Sequence, residues 1–294
     1  MSLSLGIDIG GTQVKAVVLH PNGDELHRQT FDTRADLVEG WPLYIRSITR
    51  DIQKAIGQPA RHIGLSAPGI AASDGRSIWW MMGRLEAVMG INWQQALEHD
   101  RPVPVLNDAQ AALLGETWKG AAAGAQNAIL LTLGTGVGGA ILCDGRVLRG
   151  AIGRAGHLGH ISLDPTGEKD IVNTPGSLEL LIGNCTIEQR TQGRFKTTHA
   201  LAAAHREGDR EASAYWLKSV RDLACAIASI VNCVDPEVVI IGGGIAAAGE
   251  ALFSPLNRFL DEVEWRPHAH RIRIVPASLG EYSGAIGSAK NAMG

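Results

Sequence analysis

Hydrophobic residues in the first 120 positions follow the period of strands and of helices in turn. Two strands joined by a Gly-rich turn open the chain, and Asn22-Gly23 marks a further hairpin turn. The isoleucines after Pro42 recur at the spacing of one helix face, and a second helix is predicted from Asp108 to about Lys119. The strands predicted in this part of the chain are residues 3–9, 14–19, 61–67 and 102–106.

The same pattern starts again near residue 128. Strands are predicted at 128–133, 139–143 and 237–241, and a helix at 216–231. Each half of the chain therefore begins with a hairpin whose turn is rich in glycine. Strands that alternate with helices predict two α/β lobes, each with a central sheet, and a cleft between the lobes where ligands usually bind.

Composition is ordinary for a globular enzyme, with 45% hydrophobic and 19% charged residues among 294. A net charge of −3 gives no electrostatic reason to expect a nucleic acid or an anionic membrane as partner. No apolar run approaches the roughly 20 residues that span a bilayer, and no signal peptide is evident. We expect a cytoplasmic protein.

The cysteines show no CxxC spacing, so small buried side chains in a reducing compartment are favoured over a metal site or a disulfide. They are Cys143, Cys185, Cys225 and Cys233.

Three Gly-rich turns that follow strands are candidates for phosphate binding. In the first, from Asp8 to Thr12, two glycines let backbone N–H groups converge on an anion. Asp8 would repel a phosphate, so its predicted role is to hold Mg²⁺, directly or through water. The second turn, 134–139, repeats the design without the aspartate, and the third, 242–244, suits a flat adenine and its ribose.

Taken singly, each turn has a purely structural explanation of about equal weight. The first is not a Rossmann fingerprint, because it joins two strands, and the chain has no GxxxxGK[ST] loop. The residues predicted to bind ATP and its phosphates are Gly10, Gly11, Thr12, Gly134, Thr135, Gly136, Gly243 and Gly244.

These turns, together with Asn107-Asp108 and the Gly153–His160 segment, resemble the ROK family of bacterial sugar kinases and related repressors, within the actin/hexokinase/Hsp70 superfamily. The resemblance covers nearly the whole chain. It implies a ribonuclease H-like, actin-like ATPase fold whose two lobes close over a sugar and ATP-Mg²⁺, and a homodimer. The implied smaller lobe is 1–115 with the final helix, 283–293, packed back on it; the larger lobe is 116–282.

Asp108 is the predicted catalytic base. A sugar hydroxyl is a poor nucleophile until a base takes its proton as the phosphoryl group arrives. Asp108 follows a strand end and opens a helix, and Asn107 beside it can bond neighbouring sugar hydroxyls. An Asn-Asp pair before a helix is also a good N-cap. The resemblance to the family's Asn-Asp motif favours the catalytic interpretation.

The Gly153–His160 segment resembles the family's sugar-binding loop, which commonly carries Glu-x-Gly-His. His157 stands at the Glu position and His160 at the His position, as in bacterial N-acetylmannosamine kinases. Half of a metal site and structural hydrogen bonding are the alternatives, but the intervening glycines and the lack of further ligands favour contact with the sugar.

The family's cysteine cluster, CxCGxxGCxE, normally forms a zinc site with that second His. Residues 170–179 contain no cysteine, so we expect no structural zinc and expect His160 to act only on the sugar. Glu179 stands where the motif has its sugar-binding Glu. Arg84 lies where the family often has a sugar-binding Asn, so the identity of the sugar stays open.

The predicted function is ATP-dependent phosphorylation of a hexose or N-acetylhexosamine, as in glucokinases or N-acetylmannosamine kinases, at the 6-hydroxyl. Two alternatives are a sugar-responsive transcriptional regulator of the same family and a sugar-binding protein without catalysis. A regulator of this family carries a helix-turn-helix domain ahead of the first phosphate motif, which here begins at Asp8. An intact Asp108 together with intact phosphate turns favours the kinase.

Overall fold

The computed structural model describes residues 2–34, 40–83 and 85–294, so Arg84 lies outside the described residues. The strands are β1 Ser4–Ile9, β2 Gln13–Leu19, β3 Glu25–Asp32, β4 His62–Ala67, β5 Ile70–Ala71, β6 Ile78–Trp80, β7 Val105–Asn107, β8 Ala128–Leu133, β9 Val137–Cys143, β10 Arg146–Val147, β11 Val238–Gly242 and β12 Arg273–Pro276. The helices are α1 Trp41–Ile56, α2 Trp93–Ala96, α3 Asp108–Trp118, α4 Leu178–Ile182, α5 Ile187–Arg190, α6 Thr198–Arg206, α7 Arg210–Val234, α8 Glu250–Val263 and α9 Ser283–Met293.

The N-terminal strands form a mixed sheet in the order β3-β2-β1-β4-β7. The first three strands pair antiparallel, whereas β4 and β7 run parallel to β1. The carboxyl ends of parallel strands meet at one edge of a sheet, and Asp8 in β1 and Asn107 in β7 both lie near that edge. The predicted pair of strands joined by a Gly-rich turn is confirmed.

The second sheet has the order β10-β9-β8-β11-β12. Here β8 and β9 pair antiparallel, and β11 runs parallel to both β8 and β12. From β9 to β12 the directions match those of the first sheet from β2 to β7, so the internal duplication that the sequence predicted is confirmed. The predicted apolar stripe of α7, with Trp216, Leu223 and Ile227, is buried in the core of this sheet's unit.

The chain divides into two compact units, one around each sheet. The first contains Met1–Gly124, Val147–Gly156 and Ser278–Gly294; the second contains Ala125–Arg146 and His157–Ala277. Residues 116–124 and 147–156 therefore group with the first sheet, although the family resemblance implied that they belong to the larger lobe. The glycine at 153 explains part of this grouping, because a Cβ there would come within 2.4 Å of the carbonyl oxygen of Ala71. The two lobes with the predicted boundary at 115 stay a proposal.

Glycines set how closely α9 packs within the first unit. A Cβ at Gly6 in β1 would lie 1.8 Å from the Ala285 carbonyl oxygen, and one at Gly64 in β4 would lie 2.1 Å from that of Ser288. These strand glycines thus leave room for the helix backbone itself. The helix is thereby placed directly behind the strand that carries Asp8.

Candidate active site

Asp8 lies at the end of β1 and is half-buried. Its Oδ1 accepts a hydrogen bond from Ser66 Oγ at 2.7 Å, and Ser66 Oγ accepts one from Ser288 Oγ at 2.9 Å. The pKa of Asp8 is raised to about 6, mainly by burial. The Ser66 hydrogen bond and Lys15 each lower this pKa, and repulsion from the Asp108 carboxylate raises it. Within the first unit the structure therefore brings Asp8 and Asp108 close enough to repel each other.

The first Gly-rich turn is closed by its own backbone. Gly10 N–H donates to the Gln13 carbonyl at 3.0 Å, and Thr33 Oγ1 donates to the Gly10 carbonyl at 2.6 Å. Thr33 is a support that sequence reasoning missed, because nothing local ties it to a turn more than 20 residues earlier. At Gly11 a Cβ would meet no protein atom within 4 Å, so the fold itself leaves this position open.

Asn107 caps α3. Its Oδ1 accepts from the N–H groups of Ala109 at 2.9 Å and Gln110 at 3.3 Å, and Gln110 Oε1 accepts from Asn107 N–H at 3.3 Å. Asn107 Nδ2 donates to the Gly69 carbonyl at 2.9 Å. The capping alternative is thus confirmed. With Oδ1 engaged, a contact of Asn107 with the sugar, which stays a prediction, has the second Nδ2 hydrogen available.

Asp108 is the first residue of α3 and its side chain is exposed. Its Oδ1 accepts from Ala109 N–H at 2.8 Å, as expected of a carboxylate in the first turn of a helix. The cap on Asn107 fixes where the helix begins and thereby where this carboxylate stands. The arrangement can hold an accessible proton acceptor beside a second carboxylate.

In the second unit, Glu179 lies against the second Gly-rich turn. It occupies the first turn of α4, and its Oε2 accepts from Val137 N–H at 3.1 Å. A Cβ at Gly136 would lie 2.0 Å from that same oxygen, so Gly136 is glycine for the sake of the protein's own packing. Gly134 differs: a Cβ there would meet nothing within 4 Å. The predicted contact of Glu179 with the sugar remains a prediction.

The third turn packs on the second. Gly243 has φ 84°, and a Cβ there would lie 2.3 Å from the Leu133 carbonyl oxygen, so both conformation and space require glycine. Beside Gly244 lies a pocket of about 90 Å³, and His199 Cε1 stands 3.6 Å from where a Gly244 Cβ would be. Arg206 and Trp216 also line this pocket. No sequence signal singled out His199 or Arg206.

The two predicted histidines lie on a loop that packs against Val137, the residue whose N–H donates to Glu179. His160 ends a short turn that begins after His157, and a Cβ at Gly159 would lie 1.9 Å from the Val137 carbonyl oxygen. Val137 therefore contacts both this loop and Glu179. The structure thus gathers the second turn, the histidine loop and α4 in one part of the second unit.

His160 is hydrogen-bonded to Asp170, a residue that the sequence analysis did not identify. Its Nδ1 lies 2.8 Å from Asp170 Oδ2, so the expectation that His160 acts only on the sugar is wrong. Burial raises the pKa of Asp170, but hydrogen bonds from His160, Thr174 and Val172 outweigh that effect and hold the pKa below its ordinary value. The available signal was a carboxylate in the segment that replaces the family's cysteine cluster.

A structural zinc does not fit this segment. Such sites need four ligands, usually thiolates or imidazoles. Among the residues that the structure describes, no three His, Cys, Asp or Glu side chains are grouped so that they could hold a metal ion. His160 and Asp170 are instead bonded to each other.

None of the helices in the described part of the chain is both long and apolar enough to cross a bilayer.

The sequence profile of the ROK family matches residues 4–293. The glucokinase of Halalkalibacterium halodurans is 31% identical over 96% of this chain and 92% of its own length. The N-acetylmannosamine kinase of Escherichia fergusonii is 28% identical over 99% of this chain and 98% of its own.

Solved structures of ROK proteins have the same fold as this chain. The ROK hexokinase from Thermus thermophilus superposes with a TM-score of 0.86 at 30% identity, covering 99% of this chain and 98% of that one. A ROK family glucokinase from Streptomyces griseus, in complex with glucose and AMPPNP, superposes with a TM-score of 0.79 at 25% identity, covering 99% of both chains.

Proposed function

Since the chain belongs to the ROK family, we propose that it is an ATP-dependent kinase that phosphorylates a hexose or an N-acetylhexosamine at the 6-hydroxyl. Similarity over nearly its full length to a glucokinase and to an N-acetylmannosamine kinase supports this class of substrate. The glucokinase bound to glucose and AMPPNP supports ATP as phosphoryl donor. A cytoplasmic location and a homodimer are part of the proposal.

The observation that carries the proposal is the pair of carboxylates in the first unit. Asp108 is exposed at the start of α3, where it can take the proton of a sugar hydroxyl while the oxygen attacks the γ-phosphorus of ATP. The bond from the γ-phosphorus to its bridging oxygen then breaks, and ADP leaves. Most of the remaining catalysis is positioning and charge stabilisation.

Asp8 is the proposed ligand for Mg²⁺. A carboxylate oxygen suits this hard cation, and the repulsion between Asp8 and Asp108 marks a place where a cation is favoured. When bound, the ion would offset the negative charge of the phosphates. The backbone of the first two glycine turns, with the open positions Gly11 and Gly134, is proposed to hold those phosphates. The third turn and its pocket are proposed to receive the nucleoside.

The proposed sugar ligands are Asn107, His157, His160 and Glu179. Release of ADP across a panel of glucose, mannose, fructose, allose, N-acetylglucosamine and N-acetylmannosamine tests the proposal and identifies the sugar. No ADP release on any of them would favour the regulator or the silent sugar-binding protein.

Asp108→Asn tests the base. It keeps the shape and the hydrogen bond to the helix but removes the basicity, so kcat is expected to fall by about 10²–10⁴ while the KM for sugar changes little. Asp100→Asn is the matched control, because Asp100 is a highly exposed aspartate of the same unit. Retention of more than about a third of wild-type turnover by Asp108→Asn would contradict the assignment.

A further inference from the structure

We propose that Asp170 is a positioning residue, which holds the His160 imidazole by a buried hydrogen bond so that Nε2 faces the sugar as an acceptor, without any metal. The proposal rests on the proposed kinase function and names a residue that serves its sugar site.

The two side chains that share this hydrogen bond differ in their exposure to solvent. The Asp170 side chain is fully buried, whereas the His160 side chain is 23% exposed. Within the described residues, the imidazole makes no hydrogen bond other than the one from Nδ1 to Asp170. One ring nitrogen is thus fixed inside the protein, and Nε2 remains available to a ligand.

Asp170 also closes the loop that joins the two predicted sugar ligands. Its Oδ1 accepts from Val172 N–H at 3.0 Å and from Thr174 N–H at 2.9 Å, while its own N–H donates to the Thr174 carbonyl at 3.0 Å. Ser162 Oγ then donates to the Pro175 carbonyl at 2.6 Å. The carboxylate therefore ties the loop to His160 on one side and to its own tight turn on the other.

The end of this loop leads directly into α4. Leu178 N–H donates to the Ile161 carbonyl at 3.0 Å, which sets the first turn of α4 beside the residue that follows His160. Glu179 is the next residue of that turn. A disturbance at Asp170 would therefore reach both His160 and Glu179. The turn at residues 134–136 also meets Glu179 through Val137 N–H, but backbone hydrogen bonds from Gly134 N–H to the Gly136 carbonyl and from Asn184 N–H to the Gly134 carbonyl hold it independently.

The identity of the partner decides what Nε2 can do. An ionised carboxylate only accepts hydrogen bonds, so neutral His160 must carry its proton on Nδ1, and Nε2 is left as an acceptor. The low pKa of Asp170 agrees with an ionised carboxylate. An acceptor at this place selects a sugar hydroxyl that donates its proton. Asparagine at 170 would keep its amide oxygen on the backbone N–H groups of Val172 and Thr174, so its amide N–H would face Nδ1 and favour the opposite tautomer.

The first test reads the tautomer directly. Long-range ¹⁵N–¹H correlation spectra of the wild-type protein distinguish Nδ1–H from Nε2–H, and His160→Gln assigns the signal. We expect the Nδ1–H tautomer for neutral His160. An Nε2–H tautomer in the wild type would overturn the proposal, whether or not any sugar is phosphorylated.

The second test is kinetic. Asp170→Asn is expected to raise the KM for the accepted sugar by about 10-fold or more, as for loss of a hydrogen bond to a charged group, with kcat and the KM for ATP within about 3-fold of wild type. Asp164→Asn is the matched control, because Asp164 lies in the same loop but its carboxylate accepts from Thr166 and its backbone carbonyl from Gly167, not from His160. An equal rise in both KM values together with a loss of kcat would show a merely structural role and overturn the proposal. If no sugar were turned over at all, the kinase proposal would fail, and the spectra would still decide whether Asp170 sets the tautomer.

Discussion

Asp8 illustrates how a single residue can be poor for stability and useful for binding. Its carboxylate is placed against Gly284 of α9, whose Cβ, if present, would lie 2.7 Å from the carboxyl carbon, and it faces the charge of Asp108. Burial and the Asp108 carboxylate disfavour its negative charge more than the Ser66 hydrogen bond and Lys15 favour it. A bound cation would stabilise that charge.

Replacement of Asp8 by Asn is therefore expected to stabilise the unliganded protein at neutral pH while it abolishes activity. The pKa of Asp8 rises from 3.8 to about 6 on folding, so the folded protein binds this proton more tightly than the unfolded chain, and stability falls as the pH rises through that window. We expect a gain of about 1–2 kcal/mol in the free energy of unfolding at pH 7.5, after allowance for partial exposure, and almost none near pH 4.

Denaturant titrations at both pH values measure this difference. Asp51→Asn is the control, because Asp51 is exposed on α1, and it should give the same stability as wild type at each pH. A variant at Asp8 that is less stable than wild type at pH 7.5 would show that the ionised carboxylate is satisfied by the protein itself.

Single residues also mark the limit of prediction from the sequence. Asn107 and Asp108 were identified because they are adjacent and precede a helix, which is a local pattern. The Asp170–His160 hydrogen bond joins residues ten positions apart through an irregular loop, where no periodicity relates their directions. Thr33 supports a turn from the far end of a hairpin for the same reason. Contacts of this kind depend on loop geometry that hydrophobic patterning does not encode.

At the scale of elements, the glycine turns separate into those that the protein needs and those that it leaves open. At Gly243 a Cβ would meet the Leu133 backbone, and at Gly136 it would displace the Glu179 carboxylate from its hydrogen bond with Val137 N–H. Gly11 in the turn after β1 and Gly134 in the turn after β8 are different: neither has a protein atom within 4 Å of a Cβ. A residue that is glycine without an internal steric reason is a candidate for close approach by a ligand.

Gly134→Ala is accordingly expected to leave stability within about 0.5 kcal/mol of wild type but to raise the KM for ATP by about 10-fold, since an added methyl group would meet the phosphates. Its backbone is outside the left-handed region, so alanine is tolerated there. Thermal melting and initial rates over a range of ATP concentrations measure the two effects. Gly11→Ala should behave in parallel, and an unchanged KM for ATP in both variants would mean that the turns are structural.

The opposite outcome is expected for a glycine inside α9. Gly287→Ala would place a Cβ 1.7 Å from the Ala111 carbonyl oxygen of α3, where neither backbone can yield easily. Alanine in an unpacked helix would stabilise by about 1 kcal/mol, whereas here we expect a loss of about 2 kcal/mol or more in the free energy of unfolding. A denaturant titration decides between the two signs, and a gain in stability would show that α9 does not pack on α3.

Elements with a long repeating pattern were the best predicted. The helix after Pro42 and the helix containing Trp216 follow their isoleucine and leucine spacing. However, α7 runs from Arg210 to Val234, because its first turns contain polar and small residues that give no such spacing. The short strand β7 was placed at 102–106 and occupies Val105–Asn107, since flanking prolines obscure where pairing begins. The regularity of the hydrophobic spacing, more than whether the element is a helix or a strand, decided how accurately its bounds were predicted.

Over the whole molecule, the duplicated order of strands followed from the sequence, but the boundaries of the units did not. Residues 147–156 belong to the first unit although they lie between segments of the second. Gly75 shows one reason, because a Cβ there would come within 2.8 Å of the Arg149 guanidinium, and Gly153 packs on Ala71. Whether a segment leaves one unit to join the other depends on contacts between residues far apart in the sequence, and no change in composition marks such a segment.

Metal content is the property of the whole chain that we expect to distinguish it from the usual pattern of its family. The cysteines lie at 143, 185, 225 and 233, outside the loop of residues 160–177. All are free thiols, and because three are exposed and Cys225 is only partly buried, the expectation of small buried side chains is wrong. The loop is closed by Asp170 and its hydrogen bonds, so it has no need of a zinc ion to define its shape. We therefore expect well under one zinc per chain in protein purified without chelator, measured by elemental analysis. Treatment with EDTA followed by dialysis should leave the melting temperature unchanged, and activity lost with Mg²⁺ should return when Mg²⁺ alone is restored. One tightly held zinc per chain, or a melting temperature that falls with its removal, would contradict this prediction, because an ion would then be stabilising a fold in which Asp170 already holds the loop.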